Sequence, residues 1–587
     1  MPWQADACQT KREVLQSVLN GLAGALYGPS NPAGTFNYVL KRPTAKNLRR
    51  FNIGYNSQAS ASAHADLGGH FGLDQRFGYR INLLKEGGEG YVDNSKLDRS
   101  LISLALDMKI TNDTRIETNF SRYHYTSKGF PGTFELQDAS IFFPKALDPK
   151  RVGYGQPFAG DDNLTKTYSA RLKHRFNPDW SLTAGILKQS SDRTSTVPTL
   201  TLTDNAGVYR LAVATTTFTL DEVLSHTVAL NGRVEVGNTM HDVVVSATGF
   251  EWDRYSPFNP PPPGGIVLGA SNLNSPATFN PPVWPDFKNR YKSQTTRQNS
   301  LTLGDTVRFN AQWSAALFVS QGWIDQSGIA KTGAARPNLE YSDNGISTNA
   351  TLSYKPQKNM AVYGSYADSL QQGESDPTGA TILPPYRSKQ WELGYKIAYE
   401  KLALSAALFR VERPFAFTSG GVFAVQGDQR NQGIELMANG ALTRDLMVYA
   451  GLSYLNPKLL NTASASTSNK QIMGLPNWSS NVLLDYKIAA VPGLALNLNV
   501  GGMGSRQGNH ANTYKVGGFT TVDLGARYST QLMGRGITWR LAVNNATDKR
   551  YWANITPKGQ NGYSGGGSGN GTLGAPRMVR ASMQMDF

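Results

Sequence analysis

Cysteine is nearly absent: Cys8 is the single one in 587 residues. An internal disulfide and any cysteine-based metal cluster are therefore excluded. Long apolar runs are missing as well. The longest uncharged stretch, Val14 to Leu40, is interrupted by Gly28, Pro29, Pro32 and Gly34, so no helix long and apolar enough to span a bilayer is expected. Met1 to Asp6 lack both the basic start and the apolar core of a secretory signal. Nucleophile-elbow, Walker and HExxH patterns are absent, which argues against an enzyme. The seven histidines are scattered. His64 and His70 share a strand face but lie about 20 Å apart, too far to ligate one metal. The carboxylates Asp161 and Asp162 read as solvated loop charge.

The net charge is +15 and the pI about 9.5. Without a basic helix, zinc-finger spacing or a dense Lys/Arg run, nucleic acid is not expected as a partner. Anionic ligands, anionic lipid headgroups, or a wet lumen lined with basic residues each account for the excess.

What the chain has in quantity is 26 Tyr, 24 Phe, 10 Trp and 59 Gly, a composition suited to many strands, many turns and aromatic girdles. Its chemistry alternates with a period of two, the period at which strand side chains change faces. Val579, Ala581, Met583, Met585 and Phe587 oppose Arg580, Ser582, Gln584 and Asp586. Ile102, Leu104, Leu106, Met108 and Ile110 oppose Ser103, Ala105, Asp107 and Lys109. Trp391, Leu393, Tyr395, Ile397 and Tyr399 repeat the pattern, as do Val522 to Tyr528 and Ile537 to Val543. A soluble sandwich also alternates, so the connections must decide.

Tight links at 111–114, 177–179, 310–312, 356–358 and 443–445 alternate with long ones at 126–163, 256–295, 326–344, 456–477 and 548–576. An up-and-down barrel gathers the first kind at one rim and the second at the other, as outer-membrane barrels do. The expectation is an all-β, transmembrane antiparallel barrel of about 22 strands, its apolar side chains toward lipid and its polar ones lining an aqueous bore. Residues 208–219 fit either a long loop or an extra hairpin. The runs Pro260 to Gly265 and Gly565 to Gly569 are low-complexity loop.

The segment Leu26-Tyr27-Gly28, Asn31-Pro32-Ala33-Gly34, Asn37-Tyr38-Val39 and Lys41-Arg42-Pro43 resembles the end of the plug domain in TonB-dependent siderophore receptors. Three further stretches resemble the same family: Ser388 to Gly394, Asn431 to Leu436, and Val543 to Trp552. The terminal Phe587 is like the aromatic that barrel-assembly machinery reads. The resemblance runs from about Val14 to the end. It implies residues 1–47 as a C-terminal remnant of the plug, with the signal peptide, TonB box and most of the plug sheet missing, and residues 48–587 as the barrel.

The resemblance further implies a monomer in the Gram-negative outer membrane, among its lipids and lipopolysaccharide. Its cargo would be a ferric siderophore or related chelate, its drive the TonB-ExbB-ExbD complex, and no cofactor is implied. Aromatic and arginine side chains in the long loops suit such a chelate through stacking and charge: Arg151, Tyr154, Phe158, Trp284, Arg290, Tyr291 and Arg387. With so little plug, uptake is expected to be impaired, and the alternative is a passive, porin-like channel.

Overall fold

The structure is a computed structural model that describes residues 13–19, 21–30, 32, 34–57, 59–215, 217–376, 381–419, 421–558 and 569–587. Cys8, the Met1–Asp6 opening and most of the Gly565–Gly569 run lie outside these residues. Twenty-two antiparallel strands close into one barrel. It begins with Leu48–Asn56 and ends with Met578–Asp586. These two strands pair with each other, Arg50 opposite Asp586 and Asn56 opposite Arg580, so the sheet has no free edge.

The alternation read from sequence sets the facing. On Lys96–Lys109, Ile102 and Leu106 are 48% and 41% exposed on the outer wall, whereas Ser103 and Asp107 are 9% and 8% exposed toward the bore. Leu303, Leu317, Leu393, Leu452 and Leu541 continue the exposed apolar band around the ring. Such a band is stable only where the surroundings are hydrocarbon.

The tight links collect at one rim, and four of them use the same device. In each, an Asn or Thr side chain accepts backbone N–H groups two and three residues ahead, which bends the chain without help from the neighbouring strands. Asn177 receives Asp179 and Trp180, both at 2.9 Å, and Asn310 receives Gln312 and Trp313 at 2.9 and 2.8 Å. Thr111 and Thr443 do the same. The sorting by length is incomplete, because Asn56 to Ser60 and Ser419 to Val422 are short connections at the other rim.

The long links build a second structure at that rim. Six short strands form a sheet in the order Ile266–Asn272, Val208–Val213, Thr199–Leu202, Thr133–Leu136, Gly569–Leu573 and Trp552–Pro557. Residues 208–213 are thus part of a hairpin outside the barrel wall. Phe134, Leu200, Tyr209, Met473 and Trp552 share one core beneath the sheet. Each fully buried large side chain there contributes roughly 1.5–3 kcal/mol, which stabilises loops that would otherwise move independently.

Candidate functional site

The described residues between 21 and 47 run through the bore and touch its wall on two sides. A one-turn helix, Gly24–Tyr27, packs on the strands Arg290–Arg308, Trp313–Gly328, Tyr341–Tyr354 and Met360–Gln371. The approach is close: a Cβ on Gly24 would lie 2.2 Å from Ser369 Oγ. Leu22 N donates to Gln390 Oε1 at 2.8 Å, and Ser30 N donates to the Leu370 carbonyl at 3.0 Å. Beyond the strand Thr35–Leu40, the chain crosses to the early strands. Lys41 Nζ and Arg80 Nε meet Asp66 at 2.8 and 2.7 Å, and Arg42 pairs with Asp107. Burial lowers the Lys41 ammonium's pKa, and the Asp66 carboxylate offsets part of that. Beside Gly21 and Pro32 a polar cavity of about 350 Å³ remains, lined also by Gln390, Glu392, Arg413 and Asn431.

Toward the mouth, three side chains converge on the inner wall. Trp252 Nε1 and Arg254 Nε both donate to Asp221 Oδ1, at 2.9 and 3.0 Å. The Arg254 guanidinium lies 4.5 Å from the Trp252 ring centroid. Leu224 and Val245, on the opposite faces of the same two strands, are exposed to lipid, so Asp221, Trp252 and Arg254 face the bore. An aromatic face with a cation clamped over it, half-buried at the entrance, suits a flat, electron-rich ligand. Sequence reasoning missed this group. The signal was available, since the outward run Val243, Val245, Ala247 puts Trp252 and Arg254 on the inner face by parity.

The loop residues expected to bind ligand fall into separate groups. Arg151 and Tyr154 come together on one acceptor, the Leu273 carbonyl, at 2.9 and 2.7 Å. Tyr154 is 1% exposed, and burial raises its phenol's pKa; both residues hold the loops together. Phe158 and Trp284 meet edge-on at 6.0 Å, and Trp284 continues to Phe287 and Phe218. Arg290 pairs with Asp192 at 2.9 Å, while Tyr291 rests against Phe258. Arg387 is apart from all of these. It bonds Asp368 and the Ile346 carbonyl where the strands 341–354 and 360–371 separate beyond Asn349 and Ala367.

Phe587 packs edge-on against Phe51 at 5.5 Å under the Arg535 guanidinium, at the joint of the ring. Among the described residues no group of three or more His, Cys, Asp or Glu side chains is placed to hold a metal. His64 bonds Asn82 and His70 bonds the Thr44 carbonyl, each separately.

Residues 104–546 match the family described as "TonB dependent receptor-like, beta-barrel". The chain belongs to that family. It is accordingly an outer-membrane receptor of Gram-negative bacteria, a transporter and not an enzyme. The ferrichrome receptor FcuA of Yersinia enterocolitica is 24% identical over 577 residues, covering 95% of this receptor and 73% of FcuA. The ferrioxamine B receptor of Salmonella typhimurium is also 24% identical, over 91% of this receptor and 76% of the relative. The ferric preacinetobactin receptor BauA of Acinetobacter baumannii shares the fold, with a TM-score of 0.85, 23% identity, and coverage of 98% of this receptor and 86% of BauA. In this receptor the described N-terminal strands, Glu13–Leu19 and Thr35–Leu40, form a small sheet of their own, separate from the barrel.

Proposed function

We propose that this receptor captures a ferric siderophore or closely related chelate at its outer mouth and passes it inward on energy supplied by the TonB-ExbB-ExbD complex. In this reading residues 1–47 are the C-terminal part of a plug domain and residues 48–587 are the barrel. The observation that carries the reading is the Trp252–Arg254–Asp221 group facing the bore of a barrel of this family. Its stacking face and held guanidinium match the aromatic or anionic surface of a ferric chelate. FcuA is a ferrichrome receptor and BauA a ferric preacinetobactin receptor, which supports a cargo of the same general kind. Phe158 and Trp284 offer a second aromatic surface outside the bore. Arg151, Tyr154, Arg290 and Arg387 serve the reading indirectly, by fixing the loops and wall around the entrance.

The test is a binding titration of detergent-solubilised receptor against a panel of ferric hydroxamates, catecholates and citrate, read by tryptophan fluorescence. At least one chelate quenches with saturation, and Trp252→Phe removes most of that signal. Absence of saturable quenching by every chelate contradicts the reading.

A further inference from the structure

At one place in the barrel wall, main-chain pairing gives way to side chains. The strand Tyr341–Tyr354 is paired with Trp313–Gly328 as far as Tyr341 opposite Gln326, and Met360–Gln371 with Tyr386–Tyr399 as far as Gln371 opposite Tyr386. Between these two strands, however, the ladder stops at Asn349 opposite Ala367. The same register carried onward would set Thr348 opposite Asp368, Ser347 opposite Ser369 and Ile346 opposite Leu370. Other groups stand in for those partners. Leu370 N donates to Ser347 Oγ at 3.1 Å, and Thr348 N donates to Asp368 Oδ1 at 3.3 Å. The Ile346 carbonyl accepts from the Arg387 guanidinium, which also pairs with Asp368. The Leu370 carbonyl accepts Ser30 N, from the N-terminal segment, at 3.0 Å.

In an antiparallel ladder, opposed residues alternate between pairs that exchange both N–H···O bonds and pairs that exchange none. The groups just named fix which is which. Both main-chain groups of Leu370 face the gap, as do Thr348 N and the Ile346 carbonyl. Ile346 and Leu370 are therefore placed to exchange bonds, and Ser347 and Ser369 to stand close without bonding. The Leu370 carbonyl has two lone pairs. Ser369 Oγ takes one at 2.9 Å, and Ser30 holds the position that Ile346 N–H would claim. Ser369 Oγ also accepts Ser30 N and donates to the Ser30 carbonyl, both at 3.1 Å. Ser347, Ser369 and Leu370 are all buried, where main-chain groups need partners. Loss of Ser30 thus favours the one main-chain donor already facing that carbonyl.

We propose that Ile346 and Leu370 form a two-state rung in the barrel wall, held apart while Ser30 is seated and zipped into main-chain pairing when the N-terminal segment withdraws. Each state satisfies the same carbonyl, so the rung switches rather than deforms gradually. Its movement reaches the outer mouth along the chain. Gln372 bonds Gln326 at 2.7 Å and Glu374 bonds Arg413 at 2.6 Å, so drawing Leu370 toward Ile346 shifts the root of the connection that leaves this strand. Ser30 and Leu370 are positioning residues in this account, linking the seat of the segment to the entrance. That the switch operates during import rests on the function proposed above; the two states of the rung do not.

The test is disulfide trapping in the full receptor carrying Cys8→Ser and the pair Ser347→Cys, Ser369→Cys. In the zipped state these two positions are a close non-bonded pair, within disulfide reach. Two further changes unseat the segment independently. Ser30→Pro removes the N–H donor, and Gly24→Leu adds a side chain where the Cβ alone would lie 2.2 Å from Ser369 Oγ. Isolated outer membranes are oxidised with copper phenanthroline, and the linked peptide is followed by mass spectrometry. The pair Asn349→Cys, Ala367→Cys, opposed in the existing ladder, calibrates the oxidation, and the heat-modifiable gel shift confirms that each barrel is closed. Linkage of positions 347 and 369 is expected to form at least tenfold faster with Ser30→Pro or Gly24→Leu than without either. Equally slow linkage in all three proteins overturns the proposal, because the gap then persists without Ser30. Equally fast linkage also overturns it, because the seated segment then does not hold the rung apart. The readout needs no cargo, so it is decided separately from chelate binding.

Discussion

Arg50 and Asp586 face each other across the joint of the ring, with Nε–Oδ1 at 2.6 Å and Nη2–Oδ2 at 3.0 Å. The bidentate geometry fixes the register of the first strand on the last, the one strand pair that lies at opposite ends of the chain. Both side chains are more than a third exposed to the bore, so solvent screening limits the coupling to about 0.5–1 kcal/mol. A double-mutant cycle with Arg50→Ala and Asp586→Ala, read by urea unfolding from vesicles, measures that coupling. A value near zero means that the backbone ladder alone sets the joint.

The facing of the wall gives a sharper contrast. Leu104→Arg puts a charge against hydrocarbon and costs roughly 2–4 kcal/mol near the midplane. Asp107→Asn, on the inner face of the same strand, leaves the barrel's unfolding midpoint nearly unchanged but removes the carboxylate paired with Arg42, whose hold on the wall is reduced to Asn119 and the Leu106 and Thr118 carbonyls. The expected readout is faster proteolysis of the N-terminal segment with an unchanged barrel. Equal loss of barrel stability at both positions contradicts the assigned faces.

These two residues also mark what was legible in the sequence. The facing of Leu104 and Asp107 follows from a local period, and the strand count follows from turns that carry their own chemistry, such as Asn177 and Asn310. The partner of Asp107 was not legible, because Arg42 comes from a segment that is not its neighbour in any ladder. The outer sheet was hidden for the same reason. Its strands, Thr133–Leu136 and Gly569–Leu573, are short, come from distant loops and alternate too briefly to register. Arg151 and Tyr154 therefore read as free loop side chains with ligand-binding chemistry, when both are used up on the Leu273 carbonyl.

The helix Gly24–Tyr27 packs on the inner wall, and its seating there is expected to restrict solute flow through the bore. Gly28 has φ +82° and a Cβ there would lie 2.1 Å from Ser300 Oγ, so Gly28→Val is both strained and obstructed. The variant is expected to release residues 22–30 and to raise single-channel conductance in planar bilayers several-fold over the parent. The same conductance in both means that the helix does not gate solute flow.

Acid loosens the loop core through His510. Its Nδ1 accepts the Met473 N–H at 3.3 Å, and burial holds its pKa at about 3. The folded state thus prefers the neutral ring, while the unfolded chain protonates near pH 6.5. The unfolded state binds more protons between those values, so stability is full above about pH 6.5 and falls as pH drops toward 3, by up to about 1.4 kcal/mol per pH unit. The protection factor of the amides at residues 504–518, taken against their intrinsic exchange at each pH, should fall over that window in the parent and much less in His510→Gln. A pH-independent protection factor there contradicts the assignment.

The account rests most directly on energised chelate import through the mouth defined by Trp252 and Arg254. The deciding measurement is uptake of radioactive iron, presented as the chelate that quenches fluorescence, by iron-starved Gram-negative cells producing the receptor. The account predicts accumulation that stops when TonB is deleted and falls at least tenfold in Trp252→Ala, Arg254→Ala at unchanged surface abundance. Accumulation indifferent to both TonB and those two side chains would contradict it.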